Sequence, residues 1–215
     1  MDFTKLSSIN LIGGSGGGDP KAGLCIMEMV SWFDGADMVT DRPECACPLL
    51  TTVAICINDK APSQELRNTL KPLLPMLSGS KDEESRKARA WFVMRESAVR
   101  ILAVRLDRIA AKVPPELAAN IRAAGDPATM HGAVSKAGEW LKANAYAYAY
   151  AYADAYAYAY AYANAKIRTA DRVWVFETMR GILTEALAMG KHGCLDMDAP
   201  ETEARADRLL EIVAA

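Results

Sequence analysis

The sequence lacks every complete motif that would identify an enzyme or a cofactor-binding protein. It contains no G-K-[ST] ending of a phosphate-binding loop, no G-x-G-x-x-G framed by a strand, no H-E-x-x-H and no EF-hand loop. Its two histidines are isolated, and no serine stands in a nucleophile elbow ahead of an acid and a histidine. These absences favour a protein without catalytic activity.

A large charge of one sign is also missing. The net charge is −2 and the isoelectric point is near 5.8. A nucleic-acid-binding domain usually carries a strongly basic patch or stripe, so general binding to nucleic acid is not expected. Residues 1–59 carry 3 basic and 8 acidic groups (net −5), whereas residues 60–112 carry 12 basic and 6 acidic groups (net +6). We expect the basic region, which includes Arg89, to be a solvated helix face that pairs with the acidic one.

The sequence has neither a recognisable leader nor a membrane-spanning run. Residues 1–18 lack the basic and apolar regions of a signal peptide. The only long stretch nearly free of charge consists of alanine and tyrosine, which are too weakly apolar and too interfacial to cross a bilayer. Five cysteines, an odd number without the spacing of a disulfide framework, are typical of a reducing compartment. A cytoplasmic protein without membrane association is expected.

Apolar residues at helical spacing predict an all-α protein, a multi-helix bundle with one long Ala/Tyr-rich helix. Helices are expected at 23–33, 49–57, 63–77 (bent at Pro72 and Pro75), 82–112, 115–124, 128–142, 166–189 and 200–214. The expected organisation is a flexible segment over 1–22 and a helical bundle over 23–142. Over 143–215 we expect the repeat helix and C-terminal helices that pack on the bundle or on a partner subunit. The glycine run 13–18 is interpreted as a surface loop or as a nest for a phosphate group.

The densest group of reactive side chains lies between residues 25 and 59. Cys25, Cys45 and Cys47 are candidate metal ligands, because tetrahedral zinc binds thiolates. However, C-x-C departs from the usual C-x-x-C pair, and buried cysteines that act as small apolar residues are the alternative interpretation. A nucleophilic thiol would need a neighbouring base, which the sequence does not identify. No cofactor is therefore expected, and zinc stays open as an alternative.

Arg95 falls in the middle of the predicted apolar face of the helix at 82–112. A buried guanidinium group is costly without an acceptor, so a partner is expected in the acidic N-terminal part: Glu28, Asp41 or Asp59. Two interpretations are open. The group forms an internal ion pair that fixes helix packing, or Arg95 and the basic helix hold an anionic, nucleotide-like ligand.

Four segments carry a resemblance: G-L-C-I-M-E-M at 23–29, D-R-P-E-C-A-C-P at 41–48, N-D at 58–59 and F-V-M-R at 92–95. With these segments and an Ala-rich second half, the chain resembles a family of uncharacterised proteins from bacteria and their phages. The resemblance covers most of residues 23–112, implies no activity, and favours a phage accessory protein that blocks a host factor. Strict Ala/Tyr alternation departs from the family pattern. The resemblance groups Cys25, Glu28, Asp41, Cys45, Asn58, Asp59 and Arg95.

Residues 144–164 form two decads of alternating alanine and tyrosine, marked by Asn144, Asp154 and Asn164. Alternation alone would favour a strand or a hairpin, but alanine favours helix and helical patterns flank both ends, so a helix is expected, with a hairpin or disorder as alternatives. Tyrosine offers a large contact area at a low entropic cost, which suits assembly or recognition. The candidate interaction residues are Tyr146, Tyr148, Tyr150, Tyr152, Tyr156, Tyr158, Tyr160 and Tyr162.

The sequence therefore leads to one hypothesis and two alternatives. The first is a non-enzymatic cytoplasmic binding protein that uses the Ala/Tyr helix to form a homo-oligomer or to contact a host protein. The second is a binder of a nucleotide-like small anion, with Arg95 and the basic helix as its site. The third is a metal-dependent hydrolase built on the cysteine and carboxylate group.

Overall fold

The chain folds into helices joined by short loops, as the computed structural model shows for residues 3–109, 113–144, 169–190 and 195–215. Among these residues there is no β-strand, and the only pairing of extended backbone is one isolated bridge between Leu11 and Leu24. The prediction of an all-α protein is confirmed. The α-helices are α1 (Ile26–Phe33), α2 (Pro48–Asp59), α3 (Gln64–Asn68), α4 (Leu74–Leu77), α5 (Arg86–Ser97), α6 (Val104–Arg108), α7 (Pro115–Ala123), α8 (Pro127–Ala143), α9 (Thr169–Leu187) and α10 (Pro200–Ala214).

Helix starts follow local signals in the sequence. Pro48, Pro115 and Pro200 each occupy the first helical position, where proline has the required φ angle and its missing N–H is not needed. Asp126 caps α8 by accepting hydrogen bonds from the amides of Ala128 and Thr129 at 2.9 and 3.0 Å. These signals explain why the helix bounds lie close to the predicted ones.

The described residues divide into two compact units: 1–87 with 183–215, and 88–182. In the first unit α1 is the central element, since it contacts α2, α4 and α10. All but one of its eight residues are buried. The ends of this unit are joined where the Lys5 ammonium group contacts the carboxylates of Glu203 and Asp207 at 2.6 and 3.2 Å.

The segment over 1–22, which was predicted to be flexible, contributes three side chains to the core. A 3₁₀-helix spans Phe3–Ser8, and Leu6, Ile9 and Leu11 are each at most 2% exposed. The flexibility of the segment stays a prediction. The buried Lys71 ammonium group also donates a hydrogen bond to the carbonyl of Leu6 at 2.6 Å.

In the second unit the predicted long helix is present but contains a π-helical segment, Ala98–Ala103, between α5 and α6. Helix α7 packs against this segment, α6 and α8. The buried positions of α5 are Arg89, Val93 and Glu96. Arg89 was expected on the solvated face, and this prediction is wrong. It assumed one uninterrupted α-helix with 100° of rotation per residue, and the buried residues of α5 lie on a different face from the one that this assumption gives.

Two other predictions concern membrane association and the repeat, and the described residues bear on each to a different extent. None of the helices in them combines the length and the apolar character needed to cross a membrane. The repeat over 144–164 lies outside them except for Asn144, which caps the end of α8. Its eight tyrosines, and with them the predicted Ala/Tyr helix, therefore stay a prediction.

Candidate functional site

The Glu28 carboxylate is the centre of the glycine-rich loop that precedes α1. Its Oε1 atom accepts hydrogen bonds from the Ser15 hydroxyl at 2.6 Å and the Gly18 amide at 3.1 Å. Its Oε2 atom accepts from the Cys25 amide at 2.8 Å and the Gly16 amide at 3.0 Å. The side chain is 1% exposed. The amides that were considered as a nest for phosphate therefore bind an anion of the protein itself.

Close packing explains why glycine occupies position 16. A Cβ atom there would stand 1.9 Å from the carbonyl oxygen of Gly23, which no side chain tolerates. Burial raises the pKa of Glu28, but the hydrogen bonds from Ser15, Cys25, Gly16 and Gly18 outweigh it and hold the pKa below the usual 4.5. The carboxylate is charged at neutral pH and acts as a structural anion.

Asp59 and Asn58 at the end of α2 fix the other end of this loop. The Asp59 carboxylate accepts a hydrogen bond from the Gly14 amide at 2.7 Å. The Asn58 side-chain amide donates to the Ile12 carbonyl at 2.6 Å. Glu28 and Asp59, two of the predicted ligand-binding residues, thus lie on either side of one loop, and both are engaged with its backbone.

The three predicted zinc ligands have separate structural roles. Cys25 is the N-cap of α1, where its sulfur accepts a hydrogen bond from the Glu28 amide at 3.4 Å. Cys45 donates its thiol hydrogen to the Asp34 carboxylate. Cys47 is the N-cap residue of α2, and its amide donates to the Ser80 hydroxyl at 2.9 Å.

The protonation of these thiols follows from their surroundings. Burial, followed by smaller effects that include the Glu28 carboxylate, raises the pKa of Cys25 to about 12. Burial and the hydrogen bond to Asp34 raise the pKa of Cys45 to about 11. The thiolate is the nucleophile and the metal ligand, and the raised pKa values disfavour it for both cysteines at neutral pH. Within the part of the chain that the structure describes, no three His, Cys, Asp or Glu side chains are arranged to hold a metal ion.

Arg95 has a partner other than the three carboxylates considered from the sequence. Its guanidinium group is bound to the carboxylate of Glu96, the next residue, and its side chain is 38% exposed. The same carboxylate accepts a hydrogen bond from Arg100 at 2.7 Å. Within its own unit Arg95 is therefore paired on its own helix. The expected pairing with Glu28, Asp41 or Asp59 stays a prediction. Asp41 lies half-buried in the loop between α1 and α2.

A groove of about 490 Å³ lies in the first unit where the loop after α1 faces α10. Its lining combines the indole of Trp32, the loop residues Gly35, Ala36, Asp37 and Val39, and two arginines of α10, Arg205 and Arg208. Trp32 and Arg205 are half-buried, whereas Asp37 and Arg208 are exposed. One aromatic residue and three charged residues thus line one cavity.

Arg205 is held in place at the wall of this groove. Its guanidinium group donates a hydrogen bond to the Phe33 carbonyl at the end of α1. It also lies against Gly35, where a Cβ atom would stand 2.5 Å from a guanidinium nitrogen and where φ is +73°. Glycine at this position therefore permits both the turn and the approach of the arginine.

Arg208 and Asp37 are the uncommitted charges of the groove. Neither side chain forms a hydrogen bond or an ion pair with any residue that the structure describes. Arg208 follows Arg205 by three positions on α10, so the two side chains share one face of the helix. The buried residues Ala206 and Leu209 hold that helix in the core.

The sequence did not point to Trp32, Arg205 or Arg208 as site residues. The i, i+3 spacing of the two arginines was a signal that they share a helix face. No local pattern, however, relates residues 32–39 to residues 205–208, which the fold brings together across more than 160 positions of the chain.

Comparisons of the chain with protein-family models, with curated proteins and with solved structures found no match. The resemblance to a family of bacterial and phage proteins therefore stays a prediction.

Proposed function

We propose that the protein is a non-enzymatic binding protein whose binding site is the groove lined by Trp32, Arg205 and Arg208. The observation that carries the proposal is the composition of this groove: an aromatic wall and uncommitted charges open on a cavity of about 490 Å³. Ligand sites in proteins are concave, have volumes of about 300–1,000 Å³ and combine apolar walls with a few polar groups.

The state of the reactive side chains supports binding rather than catalysis. The Glu28 carboxylate accepts four hydrogen bonds from its own loop. Cys25 and Cys45 have raised pKa values, so neither is a thiolate at neutral pH. The cysteines and carboxylates that a metal-dependent hydrolase would use are engaged in separate contacts, so this alternative has no support from their arrangement.

The sequence adds three elements to the proposal. The protein acts in the cytoplasm, which its odd number of unpatterned cysteines favours. The Ala/Tyr repeat supports a homo-oligomer or contact with a host protein, because it contains all eight tyrosines of the chain. The resemblance to phage proteins suggests an accessory role in which the partner is a host factor that is blocked.

A fragment screen by ligand-observed NMR tests the groove as the binding site. The variant Ala36→Trp places a large side chain on an exposed residue of the groove lining, whereas Ala214→Trp does the same at an exposed residue in the last turn of α10, outside the groove. We expect fragments that bind the natural protein to lose binding to Ala36→Trp and to keep it with Ala214→Trp. Equal binding to both variants, or no bound fragment at all, would contradict the proposal.

A further inference from the structure

We infer that the groove takes a small organic anion that carries a flat ring and a hydrogen-bond donor, the chemistry of a nucleoside monophosphate. This inference rests on the proposed function, since it names the ligand class of the same groove. It moves the anion site expected at Arg95 to Arg205 and Arg208, which lie in a different unit of the fold.

The anion is assigned to the two arginines of α10. Arg205 is fixed by its hydrogen bond to the Phe33 carbonyl and by its contact with Gly35, so little conformational entropy is lost when it binds. Neither Arg205 nor Arg208 forms an ion pair with a carboxylate among the described residues. One terminal nitrogen of Arg205 and the whole guanidinium group of Arg208 can therefore bind an anion. Guanidinium groups bind carboxylate and phosphate through charge-assisted hydrogen bonds, often two at a time.

The flat ring is assigned to Trp32. This residue is half-buried and its indole meets the ring of Phe33 edge to face, with ring centroids 6.2 Å apart and an interplanar angle of 74°. Phe33 is fully buried, so the edge-to-face contact supports the indole from the core side. An indole that lines a groove offers a π-face on which a planar ring stacks.

Asp37 is assigned as the residue that accepts a hydrogen bond from the donor group of the ligand. Its carboxylate lines the groove and has no partner among the residues that the structure describes. A ligand with anionic groups alone would be repelled by it, whereas an exocyclic amine or a hydroxyl group would donate to it. The groove carries two positive charges and one negative charge, which favours a ligand with an anion at one end and a donor at the other.

Two sources share this chemistry, namely a nucleotide with its phosphate and an aromatic amino acid with its carboxylate. Isothermal titration calorimetry separates them with four probes: adenosine monophosphate, adenosine, ribose 5-phosphate and tryptophan. We expect adenosine monophosphate to bind at least tenfold more tightly than adenosine, which lacks the anion, and than ribose 5-phosphate, which lacks the ring. Tighter binding of tryptophan than of the nucleotide would support the same site chemistry and identify a carboxylate as its anion.

Variants connect the affinity to the assigned side chains. Arg208→Ala alters an exposed side chain without an ion pair, so it should fold normally and weaken adenosine monophosphate about tenfold while leaving adenosine unchanged. Arg42→Ala removes an exposed arginine outside the groove and is the matched control, for which no change is expected. Trp32→Leu should weaken adenosine and the nucleotide alike and should leave ribose 5-phosphate unchanged.

The outcomes distinguish this inference from the function on which it rests. If the groove binds neutral fragments but adenosine monophosphate and adenosine bind equally well, the ligand class is wrong and the proposed function stands. The same conclusion follows if Arg208→Ala and Arg42→Ala have equal effects on the nucleotide. If neither fragments nor any of the four probes bind, both the inference and the proposed function are wrong.

Discussion

Substituting Glu28 by glutamine keeps the size of the side chain and removes its charge, so it isolates the role of the carboxylate in the glycine loop. The carboxamide oxygen can replace Oε2 and accept from the amides of Gly16 and Cys25. The carboxamide nitrogen can then donate to the Ser15 hydroxyl, but it cannot accept from the Gly18 amide. The Gly18 amide is left without an acceptor, and the hydroxyl of the exposed Ser15 has to turn its hydrogen to solvent.

The expected loss of unfolding free energy follows from these contacts. An unsatisfied buried amide costs about 1–3 kcal/mol. The bonds that persist lose their charge assistance, which roughly halves their strength, so we expect a total loss of about 2–4 kcal/mol. Urea unfolding followed by circular dichroism at pH 7 measures this loss. The control Glu44→Gln alters an exposed carboxylate and should change the free energy by less than about 0.5 kcal/mol.

The pH dependence provides a second, independent readout. Because the folded-state pKa of Glu28 is lowered from the usual 4.5, its contribution to stability is fully present above pH 4.5 and is lost as the pH falls through the folded-state pKa. The difference between the natural protein and Glu28→Gln should therefore be constant from pH 7 to about pH 5 and should shrink below pH 4.5. A difference that stays the same at pH 3, or a loss no larger than that of Glu44→Gln, would refute this account of the loop.

Two further predictions concern a buried lysine and the repeat. Lys71 is 5% exposed and burial lowers its pKa, so the stability of the natural protein relative to Lys71→Met should rise between pH 7 and pH 10 in urea unfolding. The raised pKa values of Cys25 and Cys45 lower stability in the same range, but they do so equally in both proteins and cancel in the difference. A difference that does not change with pH would contradict the prediction. Replacement of the eight tyrosines of the repeat by serine should reduce the number of chains in the assembly, measured as its mass by light scattering. An unchanged number of chains would argue against an assembly role.

The helices could be predicted largely from local features. Pro48, Pro115 and Pro200 mark helix starts, and the spacing of apolar residues locates most of the remaining helical turns. The π-helical segment over 98–103 could not be predicted, because its wider turn depends on packing and has no signature in residue types. As a consequence, the buried stripe of α5 was assigned to the wrong face, and Arg89 with it.

The candidate site was less predictable than the fold. Cys25 and Glu28 were both singled out as candidate site residues, but their roles as cap and loop anion depend on how residues 13–18 fold back. The burial of Leu6, Ile9 and Leu11 depends on tertiary contacts, since the three side chains have no regular helical or strand period. The groove joins two distant segments, and a single sequence contains no information about such a pairing.

The Glu28 carboxylate also has a consequence for how the first unit opens. Amides of Gly16, Gly18 and Cys25 are all bound to one side chain, so none of them meets solvent unless that side chain leaves its position. In native-state hydrogen exchange the three amides should therefore exchange at one common rate, although they are spread over ten residues of loop and helix. Loop and first helical turn would then open together, as one cooperative element of the native state.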